Sequence, residues 1–472
     1  MQARPQKRTF NEWYDYVLFN GELIDQRYGV KGTVVYKPRA MEIIGSLYSI
    51  FESKLEERGH KKFLFPLFIP YSNFRKESEH IKGFEEEVFI VSKAGGKDLE
   101  EPLIVRPTSE TAFYPMFSMW IKSYRDLPLK TYQSVAVYRY ETKATRPLLR
   151  GREFLWIETH NVFASKEEAL RHVEEDIEMM SEELKKLGLP YLVVRREPFD
   201  RFPGAEESFA YDTVMPTGEV LQVATTHYLG QNFTKPFEVK FLDQNGQYQV
   251  PYSTTLGVGI TRILAAIVAV HGDDYGLYIP PQLVKVKGTV VPIFYEGIRD
   301  DLLSYVNEII ERAKPYIFVP DLGEQTPGEK YYYSELLGYP LRIEVGKKEL
   351  ESKTVTVFRR DTKKKVNVSI HELKEKLDEI IEDMKSELIK KSEVTKEIPE
   401  AKSKEEVLKL VKENPIIKID FCGEAECAQD IKKTTGGFEV RGELVGSEEK
   451  PGDRCAWCGR KAVRKVILAK AF

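Results

Sequence analysis

Arg139-Tyr140-Glu141 and, beginning fifteen positions after Arg139, Phe154-Leu155-Trp156-Ile157-Glu158-Thr159-His160 decide how the middle of this 472-residue chain is read. Both segments read as strands, and a strand shows alternate side chains on one face. Arg139 and Glu141 then point one way, as do Phe154, Trp156, Glu158 and His160. Between them lie Lys143, Arg146, Arg150 and Arg152 against a single acid, Glu153. Paired as a hairpin, one face carries a cation, carboxylates, an imidazole and two aromatic rings under a basic loop. An exposed sheet face with ordinary ion pairs is the alternative, but it leaves an unusual surface unused. The pattern suits a floor that holds a nucleotide together with a small charged molecule. Arg139 can grip a phosphate through two parallel hydrogen bonds where a lysine is only a point charge. Phe154 or Trp156 can stack on a ring.

The bulk composition constrains the rest. The length predicts two to four domains. A net charge of -3 means that any site for a polyanion is local, and residues 139–152 are the basic stretch. The first residues, Met1 to Arg8, carry no apolar leader, and no run of about 18 apolar residues occurs. No membrane span is expected, and the cytoplasm is the expected location.

Along the chain, residues 41–59 read as a helix with Ile43, Ile44, Leu47, Ile50, Phe51 and Leu55 on one side. The apolar run 63–69 contains Pro66, which belongs at a sheet margin or a subunit boundary. Ser165 and Glu168 form a capping box ahead of a helix ending at Leu187, Gly188 and Pro190 stopping it. From residue 288 strands and helices alternate, predicting a small α/β unit. The charged helix 371–392 closes it, and residues 393–404 read as a linker.

Four further groups of residues carry chemistry. In Arg106-Pro-Thr-Ser-Glu110, an extended backbone puts Thr108 and Glu110 on one face, a receptor for an ammonium group; a loop with Glu110 in water is the alternative. Gly257-Val-Gly-Ile-Thr-Arg262 lets backbone approach a ligand and feeds a buried helix with Arg262 in its first turn. It lacks the third glycine and later acid of a dinucleotide fingerprint. Residues 222–230, with Gln222, Thr225 and His227, are polar where a strand is normally apolar; a structural role is open for His227. All four cysteines fall in the last 51 residues, as Cys422-x4-Cys427 and Cys455-x2-Cys458. Two short loops of paired thiols predict a closed, structural four-cysteine zinc site.

Together these residues resemble the class II aminoacyl-tRNA synthetases, and within them the prolyl branch of archaeal and eukaryote-like type. Residues 57–66 are similar to motif 1, residues 138–154 to motif 2, and residues 257–262 to motif 3. The prolyl assignment rests on residues 106–110, 154–160, 201–205 and 226–230. The resemblance implies an α+β fold: an antiparallel sheet of six or seven strands flanked by helices (residues 1–283), an α/β anticodon-binding domain (284–392) and a small zinc-bearing α+β C-terminal domain (393–472). It implies that Arg139 grips the ATP α-phosphate, Glu141 holds the adenine amino group, Phe154 stacks on adenine and Arg262 lies near the γ-phosphate. Gln222 and Thr225 would line the nucleotide site, and Arg150 would reach phosphate. Thr108 and Glu110 would bind the proline nitrogen, with Trp156, Glu158, His160, Phe202 and His227 framing the pyrrolidine pocket. The implied partners are L-proline, ATP with Mg2+, tRNA(Pro) and a second copy of the chain.

Two features depart from the family or its bacterial type. The chain ends in Phe472 where tyrosine is usual. Only 88 residues separate Phe163 from Tyr252, which predicts no editing insertion and leaves errors to a protein acting in trans. A non-catalytic paralogue binding tRNA or an effector is the alternative reading, but the nucleotide-gripping set Arg139, Glu141, Phe154 and Arg262 is intact. A threonyl enzyme would need a catalytic zinc site with cysteine, and no cysteine precedes residue 422.

Overall fold

The structure, a computed structural model, describes residues 4–77, 86–394 and 398–472. Its spine is one sheet of eleven strands. From one margin these are Lys61–Lys62, Leu129–Tyr138, Glu153–Phe163, Tyr252–Gly259, Val220–Gly230, Glu207–Val214 and Tyr191–Arg195. Beyond them the sheet continues through Phe438–Leu444, Arg464–Lys470, Ile416–Phe421 and Glu400–Ala401. From Leu129–Tyr138 through Tyr191–Arg195 every neighbour is antiparallel, and Lys61–Lys62 joins the margin in parallel. The proline-bearing run follows this margin strand, Phe63 N–H still bonding the Tyr132 carbonyl at 2.8 Å, and its end, Phe68–Pro70, joins a separate three-stranded sheet with Lys97–Val105 and Phe89–Ala94.

Alternation separates the two faces of the sheet. Ile157, Leu256 and Val258 point into an apolar core shared with the helices Pro38–Glu57 and Ile260–His271. Phe163 and Tyr228 on the same side meet the helix Lys166–Lys186. That last helix starts at the predicted capping box, with Ser165 accepting from the Glu168 N–H and Glu168 accepting from the Ser165 N–H. The first begins at Pro38 rather than residue 41, because a proline suits the first helical turn. The opposite face is left open as a floor, closed at one end by the helix Glu110–Trp120 and its Phe113, Tyr114 and Phe117.

Two expectations need correction here. Arg139-Tyr140-Glu141 is not strand: the ladder ends at Tyr138, and one further hydrogen bond, Arg139 N–H to the Arg152 carbonyl at 3.0 Å, closes the hairpin before the backbone turns. Thr108 and Glu110 are not extended either, since Ser109 caps a helix that begins at Glu110. In both places the chain leaves the regular element at the site, and side-chain period alone does not reveal this.

Residues 286–369 form a separate five-stranded sheet, in the order Ile317–Pro320, Val286–Pro292, Leu341–Val345, Thr354–Arg359 and Lys365–Ser369, with its own core. The expected charged helix runs over Leu373–Lys391, and two helices that were not foreseen, Pro327–Leu337 and Lys347–Ser352, also belong to this region. Arg360 ties this unit to the first through paired bonds to the Asp273 carboxylate. The last unit has a third core around the cysteines. The polar stretch 393–404 is not a plain linker: Glu400–Ala401 pairs with Ile416–Phe421, and a helix begins at Lys404. Residues 395–397 of that stretch lie outside the described residues.

Candidate active site

The open floor carries a cavity of about 460 Å³ that gathers residues from widely separated parts of the sequence, from Glu87 to Arg441. Phe154, Trp156 and Glu158 stand in a row on one strand, as alternation requires. The neighbouring strand presents Thr255, Gly257 and Gly259, register-paired with His160, Glu158 and Trp156. A Cβ at Gly257 would lie 3.3 Å from the Trp156 ring, so this glycine makes room for the indole on the floor. On the far side stand Gln222, Thr225 and His227.

Arg139 arches over this row. Its guanidinium lies 5.3 Å from the Phe154 ring centre and 5.7 Å from that of Trp156, and its Nε donates to the Pro107 carbonyl at 3.1 Å. Arg262 enters from the first turn of the helix Ile260–His271, its Nε donating to the Leu149 carbonyl at 3.1 Å and its Nη1 to the Gln222 carbonyl at 2.9 Å. Burial, with Arg139 and Arg150 nearby, pushes Arg262 down to about 10. Burial also lowers Arg139, against the pull of Glu87, Glu110, Glu158 and Glu141. Both guanidinium groups are fixed by backbone carbonyls and face the cavity, as sites for an anion should. Glu141 and Arg150 pair loosely across the loop at 3.7 Å.

At the other end of the row the charge reverses. Glu110 is buried, with Oε2 accepting from Thr108 Oγ1 at 2.5 Å. Burial raises its pKa, and Glu158 adds to the rise. Burial would raise Glu158 too, but His160, Ser109 and Gln133 outweigh it and hold the carboxyl below its ordinary value. His160 Nε2 sits 2.9 Å from Glu158 Oε2, Gln133 Nε2 donates to Oε1 at 2.8 Å, and Ser109 Oγ donates to the same oxygen. His160 therefore lies beneath the cavity as the partner that orients Glu158, stacked on Phe113, and does not form its wall. Phe202 leans on His227 at 4.9 Å. Burial, then Arg196, pushes His227 down to about 3, so it stays neutral, its Nδ1 2.8 Å from Ser208 Oγ.

All the candidate site residues except His160 and the distant cysteines line this one cavity. Sequence reasoning missed Arg196, Asp200 and Arg441 on its wall. Arg441 comes from the cysteine-bearing unit, and no local pattern could have brought it 229 positions back to Asp212.

The four cysteines also meet. Their sulfurs all lie within 4.8 Å of one another, with Cys427 to Cys455 at 3.9 Å and Cys422 to Cys458 at 3.6 Å. All four are free thiols. A tetrahedral ion bonded to sulfur at about 2.3 Å requires sulfur–sulfur edges of about 3.8 Å, and the cluster has that size.

An antiparallel floor entered by a strand-loop-strand arginine and a strand-helix arginine defines the class II synthetase core, and comparison with known families agrees. The tRNA synthetase class II core domain (G, H, P, S and T) matches residues 89–271, an anticodon binding domain residues 289–380, and the C-terminal domain of prolyl-tRNA synthetase residues 404–472. The proline--tRNA ligase of Thermofilum pendens is 47% identical over 99% of this chain and 98% of its own length. That of Methanopyrus kandleri is 41% identical, over 99% and 97%. Among solved structures, Giardia lamblia prolyl-tRNA synthetase in complex with prolyl-adenylate aligns with TM-score 0.94 at 34% identity, covering 100% of this chain and 99% of that one. Prolyl-tRNA synthetase from Cryptosporidium parvum, complexed with halofuginone and AMPPNP, also aligns at 0.94, with 30% identity and 99% of each chain covered. The chain belongs to the prolyl-tRNA synthetase (proline--tRNA ligase) family.

Proposed function

We propose that this chain activates proline with ATP to prolyl-adenylate and pyrophosphate, then passes the prolyl group to the 3′ end of tRNA(Pro). The observation that carries the reading is the split of charge along one floor: fixed cations, Arg139 and Arg262, at one end and buried carboxylates, Glu110 and Glu158, at the other. ATP fits the cationic end. Arg139 would hold the α-phosphate, Arg262 the γ-phosphate, and Arg150 would reach phosphate from the loop. Phe154 would stack on adenine, Glu141 would accept from its amino group, and Gln222 and Thr225 would line the ribose side. Proline fits the other end, its nitrogen between Thr108 and Glu110 and its ring framed by Trp156, Glu158, Phe202 and His227, with His160 beneath.

The proline carboxylate attacks the α-phosphorus, the bond to the β,γ-phosphates breaks, and pyrophosphate leaves. A carboxyl with a pKa of about 3.5 is already ionised at neutral pH, so this step needs no general base. It needs alignment and charge neutralisation by preorganised donors, which suits a site built of arginines, carboxylates and rings. Mg2+ would enter with ATP and supply counter-charge on its phosphates. In the second step the hydroxyl of the tRNA 3′ adenosine attacks the prolyl carbonyl and AMP leaves.

Residues 1–283 serve in this reading as the catalytic domain, 284–392 as the anticodon-binding domain and 393–472 as a zinc-stabilised C-terminal domain. Zinc at Cys422, Cys427, Cys455 and Cys458 is supported by the all-sulfur donor set and the spacing of the thiols. A homodimer through the motif 1 margin is supported by Leu64, an apolar side chain 79% exposed on that segment. Among the described residues no helix is long and apolar enough to cross a membrane, and a cytoplasmic location follows from the need for tRNA and ATP. The span from Phe163 to Tyr252 is occupied by core elements, namely the helix Lys166–Lys186, three strands of the main sheet and a short hairpin. Editing of mischarged tRNA is therefore assigned to another protein.

Proline-dependent ATP–pyrophosphate exchange, with threonine as control, tests the proposal. Exchange with proline alone supports it, and Arg139→Ala should abolish the signal. Absence of exchange with correctly folded protein favours the non-catalytic paralogue.

A further inference from the structure

Two guanidinium groups on the wall of the cavity, those of Arg196 and Arg441, lie against one buried carboxylate behind it. Asp212, on the strand Glu207–Val214, is 1% exposed. Arg441, on the strand Phe438–Leu444 of the cysteine-bearing unit, takes both of its oxygens, Nε to Oδ2 at 2.8 Å and Nη2 to Oδ1 at 3.0 Å. Arg196 stands farther off, its Nη2 3.5 Å from Asp212 Oδ1. Instead that same Nη2 donates to Gln222 Oε1 at 2.7 Å, while Nη1 reaches the Arg441 carbonyl at 3.1 Å and Asp200 at 3.2 Å. Gln222 Nε2 then donates to Thr225 Oγ1, and Arg262 holds the Gln222 carbonyl. The Gln222 amide is thus clamped at its backbone by one arginine and at its side chain by another.

The backbone is shaped to deliver Arg441 here. A bulge interrupts the pairing between Val440 and Gly442, and Gly442 has φ +126°. A Cβ at Gly442 would lie 2.2 Å from the Arg195 carbonyl oxygen. Only glycine permits the strand to turn there, after which Glu443 and Leu444 pair with Arg195 and Val194 and join the third unit to the catalytic sheet.

We propose that Arg441 is a positioning residue for the nucleotide: by saturating Asp212 it leaves Arg196 free to orient the Gln222 side chain. Without Arg441, the buried carboxylate is left with Arg196 and with Arg262, which is tied to the Leu149 and Gln222 carbonyls, and a buried charge that loses its partner is costly. Asp212 then draws Arg196 across the 3.5 Å gap and away from Gln222. The third unit therefore completes the ATP site as well as extending the sheet. The inference rests on the assignment of Gln222 to the nucleotide.

ATP–pyrophosphate exchange on the full-length, metal-loaded enzyme tests it, with KM for ATP and for proline measured separately alongside the melting temperature. Arg441→Gln should raise KM for ATP about tenfold, a size usual for coupling within one hydrogen-bonded network, and change KM for proline less than about twofold. In a Gln222→Ala background Arg441→Gln should add little, because its route to the nucleotide is already cut. Asp212→Asn, which removes the charge that captures Arg196, should restore much of the ATP affinity of Arg441→Gln. If Arg441→Gln fails to fold, Arg441→Lys keeps a cation but cannot span both oxygens, and the same readouts and rescue apply to it. Equal rises in both KM values, effects that multiply with Gln222→Ala, or no rescue by Asp212→Asn would overturn the inference. If Gln222→Ala raises KM for ATP while the Arg441 variants do not, the inference falls and the site reading stands. If Gln222→Ala leaves KM for ATP unchanged, both fall.

Discussion

Replacing Glu110 by Gln removes one charge from the cavity while leaving its shape intact. The side chain is 3% exposed, and the Thr108 hydroxyl, which donates to it at 2.5 Å, can donate equally to an amide oxygen. The second carboxylate, Glu158, already accepts from Gln133 and Ser109 and pairs with His160 at 2.9 Å, so in the proposed reading Glu110 is the group left to balance the proline ammonium. A hydrogen bond to a charged group contributes about 1.5–3 kcal/mol. Losing about 2–3 kcal/mol of that, in a site that excludes water, lowers kcat/KM for proline about 30- to 150-fold. Exchange assays at saturating ATP read this directly, and KM for ATP should move less than about twofold. The pH profile gives a second check. Because burial raises the Glu110 pKa, wild-type affinity for proline should fall as pH drops through that raised value, and the Gln variant should lack this acid limb. Stability runs the other way. A carboxyl raised on folding favours the fold below its unfolded pKa and ceases to do so as pH rises through the folded value. Above that folded value the ionised group opposes folding, so there Glu110→Gln should melt no lower than wild type. Proline KM within threefold of wild type, or a parallel rise in ATP KM, would refute the reasoning.

Leu64→Asp places a charge on the exposed motif 1 margin and should convert a dimer to monomer in sedimentation experiments; unchanged mass would remove the motif 1 face as the interface. Cys455→Ser should release the metal and lower the melting temperature of the third unit, with elemental analysis reading zero zinc per chain; undiminished zinc would refute the four-thiolate site. His60, buried against His172 at 3.2 Å, is pushed down to about 4 by burial, with Lys130 and Arg58 adding to the fall and the Leu55 carbonyl opposing it. Unfolded chains take up that proton near pH 6.5 and the fold does not until about 4, so stability falls as pH drops through that window, by up to about 3 kcal/mol. Urea midpoints for His60→Gln should flatten between pH 6.5 and 4, and a slope equal to wild type would count against it.

The floor strand and the set of candidate residues that gathers in one cavity were legible in the chain because each rests on local rules, and the family was legible in the resemblance of its motifs. Period two placed Phe154, Trp156, Glu158 and His160 on one face; a capping box marked Ser165; paired thiols marked the cysteine cluster. The same rules erred where the backbone leaves a regular element, at Arg139 and at Thr108 to Glu110, and they could not tell a wall residue from one beneath it, as with His160. Arg441 marks the deeper limit. Its partner Asp212 is 229 positions away, and nothing in the composition of either strand encodes the meeting. Residue type and spacing specify which chemistry a chain carries, since charge, ring and thiol are properties of single side chains. Which charges face each other, and which of two arginines holds the Gln222 amide, depends on how separately folded sheets join edge to edge.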